Sequence, residues 1–263
     1  MSDASRILEF QGFATGLADA AGAVIRKYYR SPLAVESKSD ASPVTVADRE
    51  AEQMLRETIR ATYPDHGIDG EEFPGERLGA EFVWHLDPID GTKSFVVGRP
   101  MFGTLIALTR GGRPVLGVID QCILGERWLG AAGRSSTWNG QPIRVRACAG
   151  LRDAILSMTS PQMFDAAERA AIGRLENAVK FPVYGGDCYG YGLLAMGFVD
   201  LIVEADLDAH DFMALIPVIE GAGGTVTDWQ GGVLTTASDG RIVAAGDARV
   251  HESALKLLAL TTH

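Results

Sequence analysis

The stretch His85–Phe95, HLDPIDGTKSF, decides the reading of this chain. A short apolar strand, Phe82 to Leu86, runs into Asp87, Pro88 fixes the backbone after it, and Asp90 follows three residues on. Gly91 and Thr92 then offer successive free backbone amides at a predicted helix start, where phosphate oxygens bind. Carboxylates beside such amides hold divalent cations. Mg²⁺ suits them because it is hard, takes oxygen ligands and is held by a few carboxylates together with substrate phosphate. A bound cation turns an acidic pocket into an anion receptor.

That conversion matters because the 263 residues carry 34 acidic and 24 basic side chains, a formal net charge of −10, with no basic run. Nucleic acid and anionic membrane are excluded as partners, since both demand clustered Lys and Arg. No apolar run approaches the roughly 20 residues of a membrane span, and the opening MSDASRILEFQGF lacks the blocks of a signal peptide, so a cytoplasmic protein is expected. The cysteines Cys122, Cys148 and Cys188 stand far apart without a CxxC pair, and read as reduced and buried.

Outward from the central stretch, the chain divides near Gly150 into an α+β half, 1–150, carrying the metal and phosphate motifs, and an α/β half, 151–263, completing the site. Leu17, Ala20, Ala21, Val24, Ile25 and Tyr28 mark one buried helical stripe. After the polar SKSDASPV, Thr45 with Asp48 reads as a capping box opening a second helix that ends at Pro64. FGTLIALTR and RPVLGVID form a hairpin about Gly111-Gly112, with runs apolar enough for strands covered on both faces. From Leu151 strands and helices alternate: strands at 154–158, 181–184, 201–204, 225–228 and 242–245, with helices at 165–178, 189–196, from His210, and after Val250. This alternation predicts a layered α/β half.

Two further segments end in carboxylates: DGEEF, with Glu71 and Glu72, and DAHDF, with Asp208 and Asp211. A Glu-Glu pair is often solvated surface, and Asp211 is also placed to be a helix N-cap. Rival phosphate motifs are missing. There is no GxxxxGK[ST] and no GxSxG, and GAGGTV, Gly221 to Val226, sits at a helix end and reads as a C-cap. A covalent aspartyl phosphatase would want carboxylates two apart, so attack by an activated water is the better reading of Asp87 and Asp90.

GEE, DPIDGTKSF and an aspartate opening a helix before EGAGG, in this order, resemble the inositol monophosphatase superfamily of Mg²⁺-dependent, lithium-sensitive phosphomonoesterases. The resemblance covers nearly the whole chain and implies a five-layered αβαβα sandwich, a homodimer and two or three Mg²⁺ per site. It implies that Glu71, Asp87 and the carbonyl of Ile89 hold one ion, and Asp87, Asp90 and Asp211 another. Asp48 and Thr92 would orient and deprotonate the attacking water, and the Gly91 and Thr92 amides would bind phosphate. Glu204 falls where the family places a ligand to the substrate's hydroxyl or amine; the alternative is a strand-end surface carboxylate.

Departures from the inositol enzymes point to a subgroup. DGTKSF stands where they read DGTTNF, His210-Asp211-Phe212 where they read WDxAA, and YGGDCYGYG, Tyr184 to Gly192, where they carry Gly-Thr-Ala. These runs are most similar to histidinol-phosphate phosphatases. A substrate bearing an ammonium and an imidazole, a small phosphorylated amino alcohol, would pair with Asp187 and Glu204; Asp187 is also placed to cap the helix after it. Lys93 is either a surface lysine or a source of charge at the phosphate turn, and His210 reads as a packed histidine, as Trp84, Trp128, Trp138 and Trp229 read as core or interface. The alternatives are an inositol or broad sugar-phosphate phosphatase, and a non-catalytic phosphate-binding regulator, against which Asp48 and Thr92 speak.

Overall fold

The computed structural model describes residues 3–32, 35–37 and 43–259, so part of the polar SKSDASPV segment lies outside the described residues. Helix α1, Asp3–Tyr28, buries Leu17, Ala21, Val24 and Ile25 of the expected stripe, with Ala20 and Tyr28 half-buried, and adds Phe10, Ala14 and Ala18 to the buried face. Strands β1, Val35–Ser37, and β2, Pro43–Thr45, pair antiparallel and lead into α2, Val46–Thr62. The capping box at its start is present: Ala47 N–H donates to the Thr45 hydroxyl, and Asp48 Oδ2 accepts from the Thr45 amide at 2.9 Å.

There follow β3, Gly67–Gly70, β4, Phe82–Asp90, α3, Thr92–Val96, β5, Gly103–Arg110, β6, Arg113–Gln121, β7, Glu126–Ala131, β8, Thr137–Trp138, and β9, Gln141–Pro142. Among the described residues β3 to β9 form a seven-stranded sheet in sequence order, antiparallel except where β3 runs parallel to β4. The hairpin between β5 and β6 turns on Gly111 and Gly112, both at positive φ. Sequence ended β4 at Leu86. The strand continues to Asp90 because its pairing with β5 slips between Asp87 and Asp90, which leaves Pro88, with no amide to donate, at the irregularity.

The second half gives β10, Ile155–Met158, α4, Ala166–Glu176, β11, Phe181–Tyr184, α5, Asp187–Ala195, β12, Leu201–Glu204, α6, Ala209–Phe212, α7, Leu215–Gly221, β13, Thr225–Asp228, β14, Ile242–Ala245, and α8, Ala248–Leu258. Its five-stranded sheet has the order β11-β10-β12-β14-β13, with the first three strands parallel and β14 antiparallel to both neighbours. α7 closes as expected of GAGG: Gly223, at φ +90, donates to Glu220 O, and Gly224 donates to Ile219 O.

Three apolar cores stack these elements into five layers. The first lies between α1 with α2 and the seven-stranded sheet. The second joins the other face of that sheet, through Leu105, Ala107, Ile119 and Trp128, to α5 and α7 and to Ile202, Val226 and Ala244 of the second sheet. The third covers the second sheet's far face with α4 and α8. α7 lies directly on β6 and β7, where a Cβ on Gly117 or Gly130 would meet the Ala214 or Pro217 carbonyl at 2.0 and 2.2 Å. Trp84, Trp128 and Trp229 are buried as expected, while Trp138 is partly exposed.

This stacking places a crevice. The chain leaves β10 for α4 on the outer face, but leaves the adjacent β11 for α5 in the middle layer. Where neighbouring parallel strands send their connections to opposite faces, a ligand crevice opens at the strands' C-terminal ends.

Candidate metal and phosphate site

Asp87, Asp90 and Asp211 bring carboxylate oxygens within 4.8 Å of one another, joining the end of β4 to α6 across more than a hundred residues. Asp87 is buried; Asp90 and Asp211 are half-buried. Glu71, in the turn after β3, is tied to β4 through its amide on Leu86 O at 3.2 Å and hydrogen-bonds the Asp87 carboxyl.

Each cluster member is pushed towards its protonated form. Burial comes first for Asp87, followed by the charges of Glu71, Asp90 and Asp211, and its carboxyl stands well above the usual range. Asp90 is also raised well above the usual range, through burial and then the charges of Asp187 and Asp211, although the Cys188 amide donates to it at 2.5 Å. Asp211 is pushed up to about 8 by burial, against the relief of its bond from the Asp208 amide and with Glu71, Asp208 and Glu204 adding repulsion.

Asp211 does not cap its helix. Asp208 holds that place and Asp211 is three residues in, accepting the Asp208 N–H at 2.7 Å, so its other oxygen remains for the cluster. His210 lies 3.5 Å from Asp211 Oδ1.

Asp48 is fully buried on α2, and burial lifts its carboxyl to about 6 against two hydrogen bonds from Thr45. Those bonds occupy Oδ2. Oδ1 has no hydrogen-bond partner among the described residues, a costly state for a buried oxygen unless a ligand or water completes it. Gly91 precedes α3 at φ +88, a left-handed position where a Cβ would also stand 2.9 Å from Met101 O and 3.0 Å from Asp187 Cγ. The first amides of α3 fall outside its hydrogen-bond ladder. Thr92 Oγ1 donates to Ile89 O at 3.1 Å, placing hydroxyl and carbonyl together.

On the second sheet's side, Glu204 ends β12 and is buried at 4% exposure, which overturns its reading as a surface carboxylate. It accepts from the Thr159 amide and the Tyr191 hydroxyl, both at 2.9 Å, and burial still raises it to about 7. Asp187 opens α5 at φ +44 behind Gly186, so the capping role is overturned too: its carboxylate turns away from the helix to accept from Ser94 Oγ at 3.4 Å. Burial raises it to about 6, opposed by Ser94, Lys93 and Arg99. Lys93 is thus close enough to act on the site electrostatically.

The ten residues singled out from the sequence are linked pairwise: Glu71 acts on Asp48 and Asp87, Asp187 on Asp90, Glu204 on Asp211, a Cβ on Gly91 would meet Asp187, and Thr92 bonds the Ile89 carbonyl. Sequence reasoning missed Ser94, Arg99, Cys188, Tyr191 and Thr159, whose partners stand 13 to 98 positions away or bind through backbone atoms, leaving no local signal except the proximity of Ser94 to Thr92. The donor set fits a hard divalent cation: carboxylate and carbonyl oxygens, mutual repulsion, and an unpartnered buried oxygen at its edge.

Comparison with known proteins identifies the family. The sequence model described as "Inositol monophosphatase family" matches residues 7–262. The chain is 52% identical over 224 residues to the bifunctional phosphatase IMPL2, chloroplastic, of Arabidopsis thaliana, covering 84% of this chain and 65% of that protein's length. It is 38% identical to a histidinol-phosphatase of Chlorobaculum parvum, over 82% of this chain and 84% of that one. The solved structure of an inositol monophosphatase from Zymomonas mobilis superposes with a TM-score of 0.89 at 43% identity, covering 99% of this chain and all of that one. The five-layer architecture agrees with these matches, and the chain belongs to the inositol monophosphatase family, whose members are metal-dependent phosphatases.

Proposed function

We propose that this protein hydrolyses the phosphate monoester of L-histidinol, using Mg²⁺, with water as the nucleophile. The observation that carries the substrate is the pair Asp187 and Glu204, the first half-buried at the start of α5 and the second buried at the end of β12, each adding to the repulsion among the acids of the cluster; similarity to histidinol-phosphatases supports it. A cationic alcohol relieves their repulsion, whereas a neutral polyol leaves two acids uncompensated.

When bound by Glu71, Asp87, Asp90, Asp211 and the Ile89 carbonyl, a divalent cation supplies Lewis-acid stabilisation of charge on the phosphoryl oxygens. Asp48, with Oδ1 free, accepts the proton of the attacking water, and the Thr92 hydroxyl orients that water. The Gly91 and Thr92 amides take a phosphoryl oxygen as the bond to the leaving alcohol breaks and its oxygen is protonated by solvent. Asp187 and Glu204 hold the leaving group's ammonium and imidazole. The three free cysteines suit a reducing compartment such as the cytoplasm, and the exposed apolar edge strand β11, with Phe181, Val183 and Tyr184 over 39% exposed, supports a homodimer.

A second reading, inositol monophosphatase, is favoured by the full-length likeness to the Zymomonas mobilis enzyme. Phosphate release from a panel of histidinol phosphate, inositol 1-phosphate and glycerol 2-phosphate separates the two: the proposal requires the first to give the highest kcat/KM.

A further inference from the structure

Thr159 stands one residue past β10, and the parallel register of β10 with β12, which sets Leu156 beside Leu201 and Ser157 beside Ile202, carries it alongside Glu204. It is bonded on three sides. Its amide donates to Glu204 Oε1 at 2.9 Å, its hydroxyl accepts the Asp187 amide at 3.1 Å, and its carbonyl accepts the Gly185 amide at 3.0 Å. The crevice where β10 and β11 part is therefore bridged by one residue.

The hydroxyl bond matters most because of what it restrains. Asp187 adopts φ +44, a left-handed conformation that is unfavourable for a non-glycine residue and persists where surrounding contacts determine it. Without an acceptor for its amide, Asp187 would relax towards ordinary helical backbone and swing its carboxylate away from Ser94 and the phosphate turn. We infer that Thr159 fixes the spacing between Asp187 and Glu204 and so selects the substrate by its cationic body. It is a positioning residue, acting through the two carboxylate residues that its own atoms touch. The inference rests on the role given to those carboxylates under the proposed function.

The test uses the full chain with Mg²⁺ and compares kcat/KM for L-histidinol phosphate with that for glycerol 2-phosphate, whose alcohol is uncharged. Thr159→Val removes the acceptor and keeps the shape. It should lower the ratio of the two values about tenfold, the order expected for one lost hydrogen bond and its unsatisfied amide, mainly through KM for the cationic substrate. Thr159→Ser restores the acceptor and should restore the ratio. Should Thr159→Val fold poorly, Thr159→Ala removes the same oxygen from this half-buried position without added bulk and carries the same expectation. An equal fall for both substrates, or no rescue by serine, overturns the positioning role while the proposed function stands. A wild-type protein with no preference for histidinol phosphate overturns both.

Discussion

Arg56 and Glu52 lie one turn apart inside α2, Nε to Oε1 at 2.7 Å, with side chains 3% and 0% exposed, and together they grip the segment that carries Glu71. Glu52 accepts the Glu72 and Phe73 amides, and Arg56 donates to the Phe73 and Pro74 carbonyls and to Glu76. The loop that presents Glu71, a proposed metal ligand, is thus held by a buried ion pair on another element. Arg56→Met should leave Glu52 buried without its cation, at about 3–5 kcal/mol, and lower Tm by about 10 °C. Calorimetric titration with Mg²⁺ should show weaker binding in a variant that still folds. Unchanged ion affinity would mean that the grip does not position Glu71.

Removing charge from the cluster should separate stability from activity. Asp90→Asn and Asp211→Asn each delete a ligand charge and relieve repulsion among buried acids. Since loss of outer-sphere partners alone costs about 10–100-fold, phosphate release should fall at least about a hundredfold. In chelator the same variants should melt higher than the wild type, because neutral residues cost less to bury. Equal or lower melting in both would argue that the cluster is not electrostatically loaded.

Asp48 and Thr92 are assigned to the water and not to general binding. Asp48→Asn and Thr92→Ala should cut kcat by about 10²–10⁴ with little change in KM, the mark of an interaction made in the transition state. Steady-state kinetics at saturating Mg²⁺ measures this, and a rise in KM at constant kcat would reassign both to ground-state binding.

The metal-free protein should lose stability as pH rises. Asp48, Glu204 and Asp211 stand at about 6, 7 and 8 in the fold, against ordinary values of 3.8, 4.5 and 3.8. The folded chain then binds more protons than the unfolded one, so the slope of stability against pH is negative. The cost is absent below about pH 4, accumulates through pH 5–8 and levels off beyond. Scanning calorimetry in chelator should show Tm dropping by several degrees from pH 5 to 8, and Mg²⁺ should flatten that drop. A level profile in chelator would contradict the raised values.

How much of this was written locally can be judged from single residues. The Thr45–Asp48 box, the Gly111-Gly112 turn and the Gly223 helix stop lie within a few positions of their partners, and each was readable. Strands β8 and β9, two residues each, are too short for any periodicity to register. The extension of β4 past Pro88 was hidden because a proline normally argues against a strand, and its tolerance depends on a register slip that β5 supplies. Asp187 was legible as a polar residue at a helix start, but its turn towards Ser94, and the cations Lys93 and Arg99 that face it, arise from packing across the two sheets.

The join between Asp211 and the pair on β4 also has a consequence during synthesis. A chain leaving the ribosome exposes Glu71, Asp87 and Asp90 more than a hundred residues before α6, which supplies the last carboxylate, has been made. Domains form as their chain emerges, N-terminal portions first. The nascent first half therefore offers an incomplete nest of acids, and the ability to retain a cation is acquired late, together with the fold that makes it useful.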